Sequence, residues 1–588
     1  MLSLENRLRV LTLLILLFAL LLVSKLYFLQ IIQGEEFRAK AEHQYVAGIN
    51  YFDRGSIFFT TKDGTEVPAA TVKSGFILSI NPGVLTEYGD IEGVYTKLTK
   101  LNSIAPIDKD TFFTKAAKYS DPYEEVAKRL DNAVAEKIQN LKLPGVSVTR
   151  ERWRSYPGES MAAHALGLIG YDAGNELAGR YGLERSYEST LKREGDEAFV
   201  NFFAEIFSNL RSAVSDGENL EGDVVTTIEP SVQAFLEREI GQVTEKYSSE
   251  FTGGIVIDPR TGEIKAMALT PAFDPNSPAS APDSSVFSNK LVEDRYEMGS
   301  IIKSLTYAIG LETKSITPTM TYNDPGCITL NTKTFCNYDG TSHGTNIPMQ
   351  SALGQSLNTG AAFVASKVGT RKFDSMLLSF GLDDKTGIDL PNEGNSLVSN
   401  LKTGRDLEAA QASFGQGIAL TPVATVRALS ALANGGTLIT PHLVKEIKYK
   451  IGPSKTIHYP SLDERTRVIS EETSAGISKM LVEVVDRSLR FGQMSLPNYS
   501  IAAKTGTAQI ANPAGGGYYA DRYLHSFFGY FPAYNPQFLV FLFTYYPKDV
   551  QYASETLTDS FFNTAKFLIN YYQIPPDRQS TPPPVTKY

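Results

Sequence analysis

The sequence predicts an α+β protein in three parts: an N-terminal transmembrane helix, an elongated mixed domain, and a larger domain in which helices pack on an antiparallel sheet. Three observations predict it. An apolar run begins at Val10; residues 34 to 225 alternate short helical and strand-like stretches without a dominant period; and strand patterns stand at both ends of residues 226 to 574, with helical patterns between them. A chain of 588 residues also exceeds what one hydrophobic core organises.

The run "RVLTLLILLFALLLVS" continues through "KLYFLQII" and reaches membrane length when Lys25 snorkels to the headgroups. A cleaved signal peptide is the alternative, but no small-x-small site follows Val23, which favours an uncleaved anchor over residues 1 to 33. Arg7 and Arg9 precede the run, so the N-terminus is expected in the cytoplasm, with a single pass through the inner membrane and the bulk of the chain outside. The net charge of -9 argues against a nucleic-acid groove. No phosphate loop and no Cys/His cluster with metal-ligand spacing is present, so neither cofactor nor metal is expected. Cys327 and Cys336 close the hairpin-like "CITLNTKTFC", and an oxidising compartment would let them bridge; two unpaired buried thiols are the alternative.

Along the chain, "AVAEKIQNLKLP" reads as a helix stopped by proline, and "YGLERSYESTLKREGDE" as an exposed charged helix. The texture changes near residue 223. There "DVVTTIEPSVQAFLEREIGQVTEKY" reads as a strand and then a proline-started helix with apolar spacing at Val232, Phe235, Leu236 and Ile240. "GGIVIDPRTGEIKAMA" reads as a hairpin turning at Pro259 to Gly262, and "SFFGYFPAYNPQFLVFLFTYYP" as two late strands that complete the sheet. Residues 575 to 588, rich in proline, are expected to be disordered.

The chemistry-bearing stretch is "YEMGSIIKSLTYAIGLE", too apolar around its circumference for a surface helix. Ser300 and Lys303 lie three apart on one face. A serine near a helix start gains from the dipole, and a lysine inside an apolar helix loses the hydration that favours its charge, so a base stands beside a nucleophile. The same spacing recurs at Ser189/Lys192, in a charged surface run, and at Ser399/Lys402, in a loop-like stretch. A second element, "GQSLNTGAAFVASKVG", places Ser356 and Asn358 at a tight turn before a helix, where helix capping is the competing role. Lys-Thr-Gly occurs at Lys385, Lys402 and Lys504. Lys504 alone has strand-like flanks, with Gly506 where another backbone would approach closely, so it is the expected working copy.

SxxK, SxN and KTG in that order resemble the signature of serine penicillin-binding proteins and β-lactamases. The chain is identified as similar to the class B penicillin-binding proteins, membrane-anchored peptidoglycan D,D-transpeptidases, through "RGSIFFTTKDG", "GRYGLERSYE", "PAFDPN", "YEMGSIIK", "FGQGIALTP" and "AAKTGTA". The first motif departs from the family at Thr61-Lys62-Asp63. The resemblance implies a pedestal domain over 34 to 225 and a penicillin-binding transpeptidase domain over 226 to 574. It implies that Ser300 attacks the penultimate D-Ala of a stem peptide, Lys303 takes its proton, Ser356 relays a proton to the leaving amine, and Asn358 orients Lys303 and the substrate amide. Lys504 would supply positive potential. Thr505, Gly506 and Thr507 would hold the terminal carboxylate, and the backbone N–H groups of Ser300 and Thr507 would form an oxyanion hole, with roughly 2.7 to 4 kcal/mol per donor. Stem peptides, β-lactams and a polytopic membrane glycosyltransferase, contacted through anchor and pedestal, are the implied partners.

Other readings are a β-lactam-binding sensor, a slow D,D-carboxypeptidase or β-lactamase-like hydrolase, and a bifunctional glycosyltransferase. No Glu-x-x-x-Asn lies between residues 359 and 503, which disfavours the deacylating glutamate of class A β-lactamases.

Overall fold

The computed structural model of the protein describes Phe18 and residues 52–100, 107–172, 174, 176–193, 221–450, 453–460, 464–512 and 515–578. The expected anchor, Phe18 apart, lies outside the described residues. Among the described residues no helix is long and apolar enough to cross a membrane.

Strand β1 (Ile57–Thr60) turns back through Thr61–Thr65 into the long β2 (Glu66–Ile80). The chain forms two compact units, and the boundary between them falls within β2: one unit contains Phe76–Glu151, the other Arg54–Gly75, Arg152–Arg193 and Gly217–Tyr588. In the first, the end of β2 pairs antiparallel with β3 (Glu124–Leu130). Helices α1 (Pro82–Tyr88), α2 (Ile91–Thr99), α3 (Lys109–Ala116) and α4 (Asn132–Asn140) accompany these strands. Each helix starts at an Asn or Asp whose side chain accepts the backbone N–H three residues on: Asn81, Asp90, Asp108 and Asp131. Leu78, Ile80, Leu85, Leu98, Phe112, Leu130, Val134 and Ile138 form the core.

The second unit thus gathers Arg54–Gly75 and Arg152–Arg193, which precede residue 225, with the later chain. In the second unit β1 lies between β2 and β4 (Gly222–Thr226), pairing in parallel with the latter at Ile57 and Val224. Arg54 and Arg154 both reach Glu184, Nε to carboxylate at 2.6 and 2.7 Å, and Tyr156 donates its hydroxyl to the same carboxylate at 3.1 Å. Glu184 is fully buried, which corrects the expectation of an exposed helix from "YGLERSYEST": the segment is two short helices, Gly182–Ser186 and Glu188–Leu191, and Glu184 and Glu188 meet arginines distant in sequence while Arg185 stays exposed. Burial pushes the Glu184 carboxyl up, but the guanidinium groups of Arg154 and Arg54 outweigh it and hold the carboxyl below the usual range.

The rest of the second unit is built on a five-stranded antiparallel sheet. Helix α5 (Pro230–Lys246) precedes the hairpin β5 (Phe251–Ile257) and β6 (Ile264–Thr270). A second hairpin, β7 (Cys327–Leu330) and β8 (Lys333–Cys336), turns through Asn331 and Thr332, both with positive φ, and its ends are joined by the Cys327–Cys336 disulfide. Strand β9 (Val444–Tyr449) pairs with β4. Strands β10 (Ala502–Ala511), β11 (Tyr518–Phe531) and β12 (Phe538–Tyr545) finish the main sheet in the order β10-β11-β12-β5-β6, so the late strands close onto the early hairpin as expected.

Period-two alternation sends Val256, Phe527, Val540 and Leu542 to one face, where Val232, Leu236 and Ile240 of α5 meet them. Ile255, Phe528, Leu539 and Phe541 point to the other, toward Ile301, Ile302 and Leu305. That second face carries α6 (Lys303–Glu312), accompanied by α7 (Asn358–Val368), α8 (Thr370–Ser379) and α9 (Asp406–Ala412). The final helix α10 (Thr558–Tyr571) packs with α5, Phe235 stacking on Phe567 at 4.1 Å. The chain stays docked beyond the point where disorder is expected. Asp577 accepts from the backbone N–H of Ser500 at 2.7 Å and Arg578 pairs with Asp486 at 2.8 Å, while residues 579 to 588 lie outside the described residues.

Glu184→Gln leaves Arg154 buried without its anionic partner, and is expected to cost about 3 to 5 kcal/mol. Denaturant unfolding of the variant beside the parent chain checks this; an unchanged midpoint would show that the cluster contributes nothing to the fold.

Candidate active site

A one-turn 3-10 helix, Gly299–Ile302, leads directly into α6. Ser300 therefore sits in a tighter turn than the continuous α-helix expected, and residues three apart eclipse there, which keeps Ser300 over Lys303. The backbone is forced into this turn by crowding. Gly299 has φ +63°, and a Cβ on it would lie 2.7 Å from the carbonyl oxygen of Thr507. Ile301 through Gly310 are buried, while Ser300 is half-buried and so reachable.

Ser356 occupies the turn before α7 with φ +58°, a left-handed conformation uncommon for a residue with a side chain. The capping role is not the one taken: α7 has Leu357 at its N-cap and no side-chain cap. The Ser356 hydroxyl instead accepts from Lys504 Nζ at 2.9 Å and from Lys303 Nζ at 3.2 Å, and its carbonyl accepts from Lys303 Nζ at 2.5 Å. Asn358 donates its amide to the carbonyl of Cys336 at 2.8 Å, so the disulfide-closed hairpin abuts the start of α7.

Lys504 lies on β10, the outermost strand of the sheet. Gly506, two residues on, is where the nucleophile segment touches the strand: a Cβ there would come within 2.6 Å of the Met298 carbonyl and 2.3 Å of the Ser526 hydroxyl. Ser526 Oγ in turn donates to Met298 O at 2.8 Å, tying β11 to the residue two before Ser300. Thr505 and Thr507 alternate with Lys504 and Gly506 along the strand, and Thr507 Oγ1 accepts from Ala553 N at 3.1 Å. The other Lys-Thr-Gly copies are elsewhere. Lys385 is exposed in a turn, and Lys402 pairs with Asp383 at 2.5 Å from a 3-10 turn, Ser399–Lys402, where a loop is expected.

Lys303 and Lys504 are 0 and 2 % exposed, and neither has a carboxylate partner among the described residues. Burial lowers Lys504 to about 7. Burial also lowers Lys303 well below the ordinary lysine value, and the charge of Lys504 pushes it further in the same direction. Lys303, its charged form disfavoured by burial and by Lys504, stands one short turn from a reachable serine hydroxyl, with a second nitrogen across Ser356. An arrangement of this kind is suited to acyl transfer through a serine nucleophile.

Sequence reasoning passed over the support beneath Asn358. Asp324 is buried and accepts from Thr359 Oγ1 at 2.6 Å and from Asn337 Nδ2 at 2.9 Å, and Asn337 Oδ1 accepts from Thr359 N at 3.2 Å. Burial raises the Asp324 carboxyl, and these hydrogen bonds more than reverse it. The only local signal was the Asp-Pro-Gly turn at Asp324 to Gly326.

The chain is similar to known proteins over most of its length. Residues 252–565 match the model of the penicillin binding protein transpeptidase domain, and residues 52–220 that of the penicillin-binding protein dimerisation domain. Stage V sporulation protein D of Bacillus subtilis is 29% identical over 539 residues, covering 90% of this chain and 80% of its own. A probable peptidoglycan D,D-transpeptidase FtsI of Caulobacter vibrioides is 29% identical over 428 residues, covering 70% and 66%. Penicillin binding protein 3 of Mycobacterium tuberculosis, solved in complex with aztreonam, superposes with a TM-score of 0.67 at 23% identity over 91% of this chain and 98% of that one.

Gly506→Ala drives a methyl group into the Met298 carbonyl, and the two backbones must part. A loss of about 1 to 3 kcal/mol is expected from the overpacking, read as a lower thermal midpoint; an unmoved midpoint would mean the contact is slack.

Proposed function

The chain belongs to the penicillin-binding protein transpeptidase family, and on that premise we propose which residue performs each step of its reaction. It is a serine acyltransferase that cross-links peptidoglycan stem peptides and is inhibited by β-lactams. Ser300 Oγ attacks the carbonyl of the penultimate D-Ala, Lys303 takes its proton, and the peptide C–N bond breaks to leave an ester on Ser300. Ser356, hydrogen-bonded to both lysines, passes a proton to the departing D-Ala amine. An amine from a neighbouring stem then attacks the ester and restores Ser300. The N–H groups of Ser300 and Thr507 serve the oxyanion, while Lys504, Thr505 and Thr507 hold the substrate carboxylate. The observation that carries this reading is the convergence of two buried lysine nitrogens on the single hydroxyl of Ser356.

The same proposal extends to location. Residues 1 to 33 anchor the protein in the cytoplasmic membrane with the bulk of the chain outside, and anchor and pedestal meet a membrane glycosyltransferase. The apolar run behind Arg7 and Arg9 supports the anchor. The Cys327–Cys336 bond suits an oxidising compartment.

Incubation with a fluorescent penicillin, then with stem peptide and an acceptor amine, is expected to give lasting label on the parent chain, cross-linked product, and no label on Ser300→Ala. A labelled Ser300→Ala places the nucleophile elsewhere; lasting label without product supports a sensor, and rapid loss of label a hydrolase.

Acylation should also follow a bell-shaped pH profile. It rises as Lys303 loses its proton and falls above about 7, where Lys504 loses the charge that attracts the substrate carboxylate. Lys504→Met removes a charge that lowers Lys303, so the acid limb of the labelling rate is expected to move to higher pH. A limb that stays in place would show that the two lysines are not coupled.

A further inference from the structure

Apart from the site around Ser356, the second unit holds a cavity of about 400 Å³ lined by Arg371, Asp374, Ser375, Lys402, Thr403 and Gly404. Asp374, on α8, is 3 % exposed, and neither of its carboxylate oxygens has a hydrogen-bond partner among the described residues. No donor offsets its desolvation, and its neighbours on α9 are negative. Glu408 leaves Oε2 unpartnered while Oε1 takes Arg405 at 2.6 Å, and Asp406 takes the hydroxyl of Thr370. Burial, then the charges of Glu408 and Asp406, push the Asp374 carboxyl up to about 6. Folded proteins keep a buried carboxylate where a cationic or hydrogen-bonding partner meets it.

The other pole of the cavity is positive. Arg371 lies one turn before Asp374, is exposed, and makes no ion pair among the described residues. Lys402 already pairs with Asp383. The hydroxyls of Ser375 and Thr403 are exposed on the lining. A simple anion would be repelled by Asp374, Glu408 and Asp406, and a simple cation by Arg371. A molecule carrying both charges a few bonds apart meets each pole, and its ammonium group brings three donors to two enclosed oxygens that have no donor among the described residues. No group of three or more His, Cys, Asp or Glu side chains suited to a metal ion occurs among the described residues.

We propose that this cavity binds a small zwitterion of the α-amino-acid type, its ammonium group on Asp374 and its carboxylate on Arg371. Neither residue belongs to the machinery around Ser300, so the proposal stands apart from the reaction assigned above.

Glycine is the probe, titrated into the full chain in detergent at pH 7.5 and followed by calorimetry, with methylammonium chloride and sodium acetate as single-charge controls. Saturable glycine binding is expected, at least about tenfold tighter than either control and weakened at least about tenfold by Asp374→Asn and by Arg371→Gln. Asp374→Asn removes an unpaired buried charge, so its unliganded thermal midpoint should equal or exceed that of the parent, with penicillin labelling retained. Absence of glycine binding, equal binding by Asp374→Asn, or methylammonium binding as tight as glycine would each overturn the proposal. A lower midpoint for Asp374→Asn would too, since it would show that the carboxylate is already satisfied within the fold.

Discussion

Two lysine side chains buried together, with no carboxylate partner among the described residues, are the condition from which the chemistry of this protein follows. Each would hold its proton firmly in water. Enclosed by α6, α7 and β10, both lose the hydration that favours charge, and Lys303, which also faces the charge of Lys504, loses more. The result is an ordered pair of basicities built from one residue type. The more weakly basic nitrogen stands one short turn from Ser300, the proposed nucleophile, and the more strongly basic one lies on the strand edge, where an anionic peptide end would arrive. Ser356 accepts from both, so one hydroxyl links the two nitrogens.

Keeping those lysines buried requires three distant segments to meet at van der Waals distance, and the fold arranges this through backbone rather than side chains. Gly299 and Gly506 stand where a Cβ would strike the opposite main chain, so the nucleophile turn and β10 lie directly on one another. Ser526 bonds across that seam to Met298. On the other wall, the Asp324–Asn337–Thr359 network and the Asn358–Cys336 bond hold the start of α7 against the disulfide-closed hairpin. The strained φ of Ser356 persists because these neighbours over-determine it.

The same logic of distant partners governs how the second unit is assembled. Arg54 and Arg154, a hundred residues apart, share the buried carboxylate of Glu184. Their mutual neutralisation draws segments that precede the catalytic stretch into the unit that carries it, alongside the parallel pairing of β1 with β4. The cavity at Asp374 is the counterexample within one molecule. There a buried carboxylate has no such partner among the described residues, and the proposed complement is a ligand.

Much was legible in the linear order of residues because it rests on local chemistry. The near-continuous apolar runs in "GGIVIDPRTGEIKAMA" and in the late aromatic strands are what a strand with one face on α5 and the other on α6 requires, since both faces are buried. Proline at the start of α5, the apolar circumference around Ser300, the turn between the two cysteines and the distinct flanks of Lys504 are likewise short-range properties. What the sequence by itself determined, then, was the set of elements and the residues able to react. Tertiary structure alone decided which charges are buried: that Glu184, in a run that looks solvated, lies at the centre of an ion cluster, that Asp577 is docked where disorder was expected, and that Lys303 and Lys504 enclose one serine. Burial depends on what arrives from elsewhere in the chain, and desolvation and Coulomb interactions, which set protonation, act through space without regard to sequence separation.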